Sequence, residues 1–395
     1  MKNQHVAVYV TGGIAAYKAA FFVREMIKKG AQVKVALTKS ACAFVTPLTF
    51  QTLSQNPVYI DGENSAEIVP HIELAVWSDL AVVIPATANL IAKMATGIAD
   101  DFVSSALLAS ACPKFVVPAM NDQMYYNPAT QRNLKQLMED GICVLEPATG
   151  FLAEGYTGKG RLPEIEQVVE WLTFNYTRIS QKQDLKNKQV LITAGGTIEP
   201  LDPVRYLTNR SSGKMGYALA ENALLRGATV ILISAPTQLK PPFGAKVIAV
   251  QTALEMAKAV ETYYSKMDIV IMAAAVSDYR AAKPAAQKIK KKDTTLALQL
   301  VENPDILLGL GAKKKQQLLV GFAAETQQLV QNAAKKMVKK RVDLLVANDV
   351  SRSDIGFGSN QNEVTFLRPH QKPLLVKKTT KEEIAAQIFD VLLSQ

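Results

Sequence analysis

The sequence predicts an α/β protein of two doubly wound Rossmann-like domains, residues 1–186 and 187–395. Three observations carry that expectation. Apolar runs of strand length alternate with apolar residues at helical spacing along the whole chain, the pattern of βαβ units around a parallel sheet. At 395 residues the chain exceeds one ordinary core, so two domains are expected from length alone. Charge divides at the same place: 16 Lys+Arg stand against 17 Asp+Glu up to residue 186 and 29 against 18 beyond it, so the net +10 belongs to the second half.

Composition narrows the class. Hydrophobic residues make up 48% and charged residues 20%, enough apolar material for a globular core in each half. No signal peptide is visible, and the longest apolar runs, such as IVIMAAAV at 269–276, have the length of buried strands and not of membrane spans, so a cytoplasmic protein without membrane contact is expected. Cys42, Cys112 and Cys143 lack metal-like spacing, and His5, His71 and His370 complete the soft ligands. Neither a disulfide framework nor a Cys/His metal centre is expected. The basic residues of the second half are not interleaved with aromatics and no nucleic-acid module occurs; a small substrate bearing polyphosphate needs the same positive field.

Taken in order, the chain opens on HVAVYVTGGIAAYKAAFFVREMIKKGAQVKVALT. Alternating β-branched residues run to Val10, Thr11-Gly12-Gly13 turns, apolar residues recur helically from 14 to 27, and Gly30 stops the helix before VKVAL. The full G-x-G-x-x-G fingerprint is missing, so the expected ligand of Gly12, Gly13 and the helix start is a mononucleotide or flavin phosphate and not a dinucleotide. LAVVI is the next buried strand, with Pro85-Ala86-Thr87-Ala88-Asn89 at its carboxyl end, where parallel sheets place ligands. Small residues there admit a flat ring, and Thr87 or Asn89 can bond it or cap the following helix. His71 on its own reads as an ordinary surface or core histidine. KFVVPAM ends at Asn121, whose amide can take a carboxylate or a flavin edge, and a helix starts near Pro128. The glycines at 150, 155, 158 and 160 are expected to make a mobile flap in which Glu154 and Arg161 are flanked by hinges. A helix near 163–176 and a polar interdomain segment close this half.

In the second half, strands are expected at 189–194, 228–234, 268–275, 317–322 and 343–347. The stretch 190–216, VLITAGGTIEPLDPVRYLTNRSSGKMG, has the grammar of an anion-binding βα junction, with Gly213 opening a helix and Lys214 in its first turn; an ordinary βα loop has the same grammar. Further strand-end loops carry Ser277 and Asp278, and GFAAET at 321–326. KPAAQKIKKK at 283–292 and the group Lys335, Lys336, Lys339, Lys340 and Arg341 read by themselves as solvated basic faces. The serine- and glycine-rich SRSDIGFGSNQNEVTF leads into a β-hairpin and a closing amphipathic helix, Lys381–Leu393.

In combination and in this order, GGIAAYK, PHIEL, PATAN, PAMN, GKGRLPE, AGGTIEPLDPVR, TNRSSGKMG, AAAVSD, KIKK, NPDIL, GFAAET and AND resemble the bifunctional phosphopantothenoylcysteine decarboxylase and phosphopantothenate–cysteine ligase family of bacterial coenzyme A synthesis. The resemblance covers essentially the full length. For the first half it implies a flavodoxin-like, FMN-dependent decarboxylase in which the flavin oxidises the substrate thiol so that CO2 can leave and then returns the electrons, and for the second a nucleotide-binding ligase domain. His71 would be the base, Asn121 would bind the substrate carboxylate, and Gly12, Gly13, Ile14, Thr38 and Pro85, Ala86, Thr87, Ala88 and Asn89 would surround FMN. For the second half it implies a ligase that activates 4'-phosphopantothenate with CTP to an acyl-cytidylate, which the cysteine amine attacks. Asn209 and Arg205 would face the acyl-cytidylate. Ser211, Met272, Ala273, Ala274, Asp278, Pro304, Asp305, Ile306, Leu307, Phe322, Lys336 and Lys340 would contact CTP, with Asp278 at the Mg2+. Lys288 would stabilise developing phosphate charge, against the solvated reading of its loop. ATP would need the same phosphate cradle. The family's assembly implies trimeric decarboxylase and dimeric ligase contacts in a homo-oligomer such as a dodecamer.

Two positions depart from the family pattern. Many members carry a flap cysteine as the proton donor of the last step; here Glu154 stands in its place, itself a proton donor if a closed flap buries it, with Lys159 and Arg161 beside it to hold phosphate or flap. Tyr125 stands where Trp is frequent. The Glu154 change leaves open a ligase whose flavin domain has an altered or regulatory role.

Overall fold

The computed structural model describes residues 1–61, 69–290, 296–325, 328–349 and 359–394. The end of the lysine run beyond 290, Thr326 of GFAAET and most of the serine- and glycine-rich segment lie outside them. The chain forms two compact units, Met1–Ile179 and Ser180–Gln395.

In the first unit the strands are β1 (His5–Val10), β2 (Gln32–Leu37), β3 (Val58–Ile60), β4 (Leu80–Ala86), β5 (Lys114–Pro118) and β6 (Cys143–Val144). They stand in the order β3-β2-β1-β4-β5-β6, and every pairing is parallel. Helices α1 (Ala16–Lys28), α2 (Pro47–Ser54), α3 (Pro70–Trp77), α4 (Ala88–Thr96), α5 (Phe102–Ala109), α6 (Asp122–Tyr126), α7 (Pro128–Glu139) and α8 (Ile165–Ile179) connect and cover them. A sheet covered on both sides needs strands that are apolar on both faces, which is why LAVVIPA of β4 is buried at every position. One core unites Val6, Val8 and Val10 with Phe22 of α1, Phe50 of α2 and Val168 of α8. The opposite core unites Ala7 and Tyr9 with Leu74 of α3, Ile91 of α4, Val103 of α5 and Leu134 of α7. Each full burial of a Phe or Leu contributes about 1.5–3 kcal/mol. Beyond the sheet, β7 (Ala148–Phe151) and β8 (Thr157–Arg161) pair as an antiparallel hairpin.

The second unit repeats the plan. Its strands are β9 (Gln189–Ala194), β10 (Ile198–Pro200), β11 (Tyr206–Thr208), β12 (Thr229–Ser234), β13 (Lys246–Ala249), β14 (Ile269–Met272), β15 (Tyr279–Ala281), β16 (Leu300–Glu302), β17 (Leu318–Glu325), β18 (Leu344–Asp349), β19 (Gln361–Leu367) and β20 (Leu374–Thr380). Its helices are α9 (Lys214–Leu225), α10 (Ala253–Tyr264), α11 (Ile306–Lys313), α12 (Leu329–Lys340) and α13 (Lys381–Leu393). Eight strands form one sheet, β13-β12-β9-β14-β17-β18-β19-β20, parallel up to β18 and closed by the antiparallel β19–β20 hairpin. β10–β11 and β15–β16 are separate two-stranded ribbons.

In both sheets the order turns back at the first strand, so the carboxyl ends of β1 and β4, and of β9 and β14, flank a topological switch point where doubly wound sheets open a ligand crevice. The interdomain segment is narrower than its polarity implies. α8 continues to Ile179, Leu185 is fully buried, and Asp184 pairs with the nearly buried Arg226. Among the described residues no helix is long and apolar enough to cross a membrane.

Candidate functional sites in the two units

At the first switch point one hydroxyl joins the two strand ends. Thr11, at the end of β1, donates to the Pro85 carbonyl at 2.7 Å and accepts the Thr87 N–H at 3.0 Å. Pro85 and Ala86 are buried in this junction, while Thr87, Ala88 and Asn89 come to the surface. Thr87 also caps α4 by accepting the Leu90 N–H, the capping reading of PATAN. Gly12 is required by close approach: a Cβ there would stand 2.4 Å from Ser40 Oγ, in the loop where Thr38 bonds Ser40 at 3.2 Å. Ile14 projects into solvent, 62% exposed. A glycine turn closed against residues 38–40, beside a strand exit of small residues, fits the phosphate and flat ring of a flavin mononucleotide.

The carboxylate side of this site is built from the loop after β5 and the β7–β8 hairpin. Asn121, the N-cap of α6, turns its oxygen to the Gln123 N–H and its amide group outward. That amide donates to Glu154 Oε1 at 3.0 Å and to the Tyr156 hydroxyl at 2.9 Å, and Tyr156 donates in turn to Asp122 at 2.5 Å. Accepting the tyrosine proton, Asp122 raises the Tyr156 pKa above its ordinary value. The hairpin places Glu154 at Asn121, yet Glu154 is exposed and not buried under a closed flap. The hinge reading of the glycines needs a further correction. A Cβ on Gly160 would lie 2.0 Å from the Met120 carbonyl and one on Gly158 2.9 Å from Asp122, so these two let the hairpin lie against residues 120–122. Lys159 is bound to Glu146 and Arg161 to Glu164, so both cations expected to hold phosphate or flap already have carboxylate partners. His71 sits in the first turn of α3, half-exposed, edge-on to Phe102 with ring centroids 6.4 Å apart. Tyr156 and Asp122 were not anticipated; GYTG within the flap motif was the only signal.

In the second unit the loops after β9 and β14 are laced together at the switch point. Ala275 N–H donates to the Gly195 carbonyl at 2.8 Å, Ala274 N–H to Thr193 at 3.1 Å and Ser277 N–H to Thr197 at 2.9 Å. Asn209 donates across to the carbonyls of Ala275 and Val276 at 3.3 and 3.2 Å. Between these loops, α11 and α12 lies a cavity of about 650 Å3. It brings together Asn209 and Ser211, Met272, Ala273, Ala274 and Asp278, Pro304, Asp305, Ile306 and Leu307, Phe322, and Lys336 and Lys340. Lys340 pairs with Asp305 at 3.1 Å, and Asp305 caps α11 through the Leu308 N–H.

Arg205 and Lys288 do not line that cavity. The Arg205 guanidinium is engaged by Asp202 and the Ile289 carbonyl, and Lys288 stands exposed beside Ile289. Two lysines that were given no role do line it. Lys214 donates to Asn360 at 2.7 Å, and the buried Lys381 donates to the Ser359 carbonyl at 2.6 Å. Burial, and after it the charge of Lys214, pushes the Lys381 pKa below the usual lysine range. Lys381 had been read only as the start of the closing helix.

Among the described residues no cluster of three His, Cys, Asp or Glu side chains could hold a metal. Two exposed carboxylates line the cavity, Asp305, which is paired with Lys340, and Asp278; the latter fits Mg2+ bound through one carboxylate and ligand phosphates, since that ion keeps several waters and needs no protein cage.

Two doubly wound sheets, one with a flavin-shaped turn at its switch point and the other with a lysine-lined cavity at the same topological place, define a two-unit α/β nucleotide-binding enzyme of flavoprotein type. Residues 1–176 match the family model described as flavoprotein, and residues 185–395 the DNA/pantothenate metabolism flavoprotein C-terminal domain. The chain is 47% identical over 395 residues to the coenzyme A biosynthesis bifunctional protein CoaBC of Bacillus subtilis (strain 168), covering 98% of this chain and 97% of the relative. To the protein of that name in Escherichia coli (strain K12) it is 42% identical over 403 residues, covering 100% and 98%. A crystal structure of the C-terminal domain of a protein of that name aligns at 41% identity and a TM-score of 0.46, over 53% of this chain and 95% of that one. The chain belongs to the family of bifunctional coenzyme A biosynthesis proteins.

Proposed function

We propose that residues 1–186 are the FMN-dependent phosphopantothenoylcysteine decarboxylase, and residues 187–395 the CTP-dependent phosphopantothenate–cysteine ligase, of a bifunctional enzyme of coenzyme A biosynthesis. The observation that carries this reading is convergence: five separate stretches of the second half meet around one cavity with the residues that the family motifs assign to nucleotide.

In ligation a carboxylate cannot be attacked by an amine at neutral pH without a better leaving group, and transfer to cytidylate supplies one. Lys336 and Lys340 on α12, with Lys214 and Lys381 at the other wall, give the cavity the positive field that a triphosphate and a phosphorylated acid both need. Asp278 would hold Mg2+, which would offset phosphate charge, and Asn209, its amide fixed by the Ala275 and Val276 carbonyls, would orient the acyl-cytidylate. Cysteine then displaces CMP.

In decarboxylation a bound flavin would supply the two-electron oxidation of the substrate thiol and, once CO2 has left, the return of those electrons to the enethiolate. This chain's own residues position and protonate. Asn121 receives the substrate carboxylate, His71 acts as base, and Glu154, one hydrogen bond from Asn121, returns the proton in the last step. The Glu154–Asn121 bond favours this active role over an altered or regulatory flavin domain. The exposed apolar residues Ile14, just before α1, and Tyr17 and Phe21 on α1 support contacts between copies in a homo-oligomer. Cys42, Cys112 and Cys143 form no disulfide with one another, which fits a cytoplasmic enzyme.

Mass spectrometry of products from phosphopantothenate and cysteine, with CTP and ATP in parallel, tests the reading. The expected outcome is CMP, pyrophosphate and 4'-phosphopantetheine with CTP; AMP formation at an equal rate would remove the base preference, and a product stalled at phosphopantothenoylcysteine would remove the decarboxylase.

A further inference from the structure

Asp202 lies inside AGGTIEPLDPVR and has no part in the reading above, yet its side chain has no exposed surface. Its two oxygens serve different loops. Oδ1 accepts the N–H groups of Val204 and Arg205, both at 2.7 Å, and so closes the turn between β10 and β11. Oδ2 accepts the Ile289 N–H at 3.0 Å and lies 3.2 Å from Arg205 Nη1. Arg205 Nη1 also donates to the Ile289 carbonyl at 3.1 Å, and the Ala285 N–H donates to the Leu201 carbonyl at 2.9 Å. Burial pushes the Asp202 carboxyl up, but the N–H groups of Ile289, Val204 and Arg205 and the Arg205 charge outweigh it and hold the group below the usual carboxylate range. The loop it grips has little else to hold it: from 283 to 290 only Ala285 and Ile289 are half-buried, and the rest, Lys288 included, is exposed.

We propose that Asp202 is a positioning residue for ligation: it clamps the backbone directly after Lys288, at Ile289, to the loop carrying Arg205, so that the Lys288 ammonium is delivered from one fixed anchor. The proposal rests on Lys288 acting in ligation, as the family motif implies. An unclamped lysine would have to lose loop as well as side-chain freedom at the moment of reaction, and misplacement of about 1 Å can cost on the order of 100-fold in rate.

The test uses Asp202→Asn in the full chain. The isosteric amide keeps one oxygen for Val204 and Arg205, but sets an NH2 group against the Ile289 N–H and the guanidinium, donor facing donor. Ligase kcat is expected to fall about tenfold or more with little change in KM for nucleotide, as for an interaction made only in the transition state. Decarboxylation of supplied phosphopantothenoylcysteine should stay at the wild-type rate, and trypsin should cut after Lys288 or Lys290 faster. The double variant Asp202→Asn, Lys288→Gln should ligate no more slowly than Lys288→Gln alone, because Asp202 acts through that lysine. Wild-type ligase kcat in Asp202→Asn, an unchanged trypsin rate, or fully additive losses in the double variant would each overturn the proposal. Full activity of Lys288→Gln by itself would overturn the role of Lys288, an outcome separate from the clamp that trypsin reads.

Discussion

At the scale of single residues, the chemistry proposed for the first unit turns on Glu154. A carboxyl group bonded to the Asn121 amide is where a proton would be needed if Asn121 holds the substrate carboxylate. Glu154→Gln keeps shape and one hydrogen bond but has no acidic proton, so 4'-phosphopantetheine formation is expected to fall about 100-fold, within the usual range for loss of a general acid. Wild-type turnover in that variant would leave water as the donor and end the assignment. In the second unit, the sign of acid sensitivity follows from Asp184 and Asp202. Both carboxyls are held below their ordinary range: Asp184 first by its hydrogen bond from Arg226, Asp202 by backbone N–H groups and Arg205 acting against burial. The folded state therefore binds fewer protons than the unfolded chain. Their stabilisation is complete above the unfolded carboxylate value near 3.9 and is lost as pH falls through the lower folded values. Acid titration followed by circular dichroism should show Asp184→Asn unfolding with a shallower dependence on pH below about 4 than the wild type; an identical acid limb would remove Asp184 from that account.

At the scale of elements, the β7–β8 hairpin is the least ordinary piece of the first unit, and glycine is what lets it lie on the site. Gly160 has no room for a side chain, because its Cβ would stand 2.0 Å from the Met120 carbonyl, and its own carbonyl accepts the Met120 N–H at 3.0 Å. Gly160→Ala is expected to lift the hairpin from residues 120–122, with a loss of about 1–3 kcal/mol as in overpacking and a decarboxylase rate reduced with it. Gly155→Ala has open space around it but a φ of +90°, so about 1 kcal/mol of strain and near-normal activity are expected. Thermal melts and decarboxylase assays of the two variants separate contact from conformation: equal losses at both positions would refute the contact account. The flap motif announced a glycine-rich loop, but glycines that bend and glycines that admit a neighbour look alike in a sequence. The short strands β3, β13, β15 and β16 were missed for a related reason. Three or four residues carry too little periodicity to be read, and their pairing partners supply the rest.

At the scale of the whole molecule, two units with separate cores make two stability problems. Each ligand should act on its own unit by mass action, at about 2.7 kcal/mol for a concentration 100 times Kd. Calorimetry is expected to resolve two transitions, with FMN raising one and CTP with Mg2+ raising the other. A single transition shifted equally by both ligands would mean that the units unfold as one. The sequence by itself determined the α/β class, the succession of the long strands along the chain and the Lys381–Leu393 helix, because buried parallel strands and amphipathic helices write their periods directly into the chain, whereas the motif residues around both crevices were named only by the family resemblance. Only the tertiary structure decided that Glu154 and Tyr156 meet Asn121, that Lys214 and Lys381 join the nucleotide cavity, and that Arg205 and Lys288 stand outside its lining on a clamp made by Asp202. Those arrangements gather residues up to 167 positions apart in the chain, Lys214 and Lys381 at one cavity. No local pattern encodes such a contact; it exists only when a switch point or a shared carboxylate brings the two ends together.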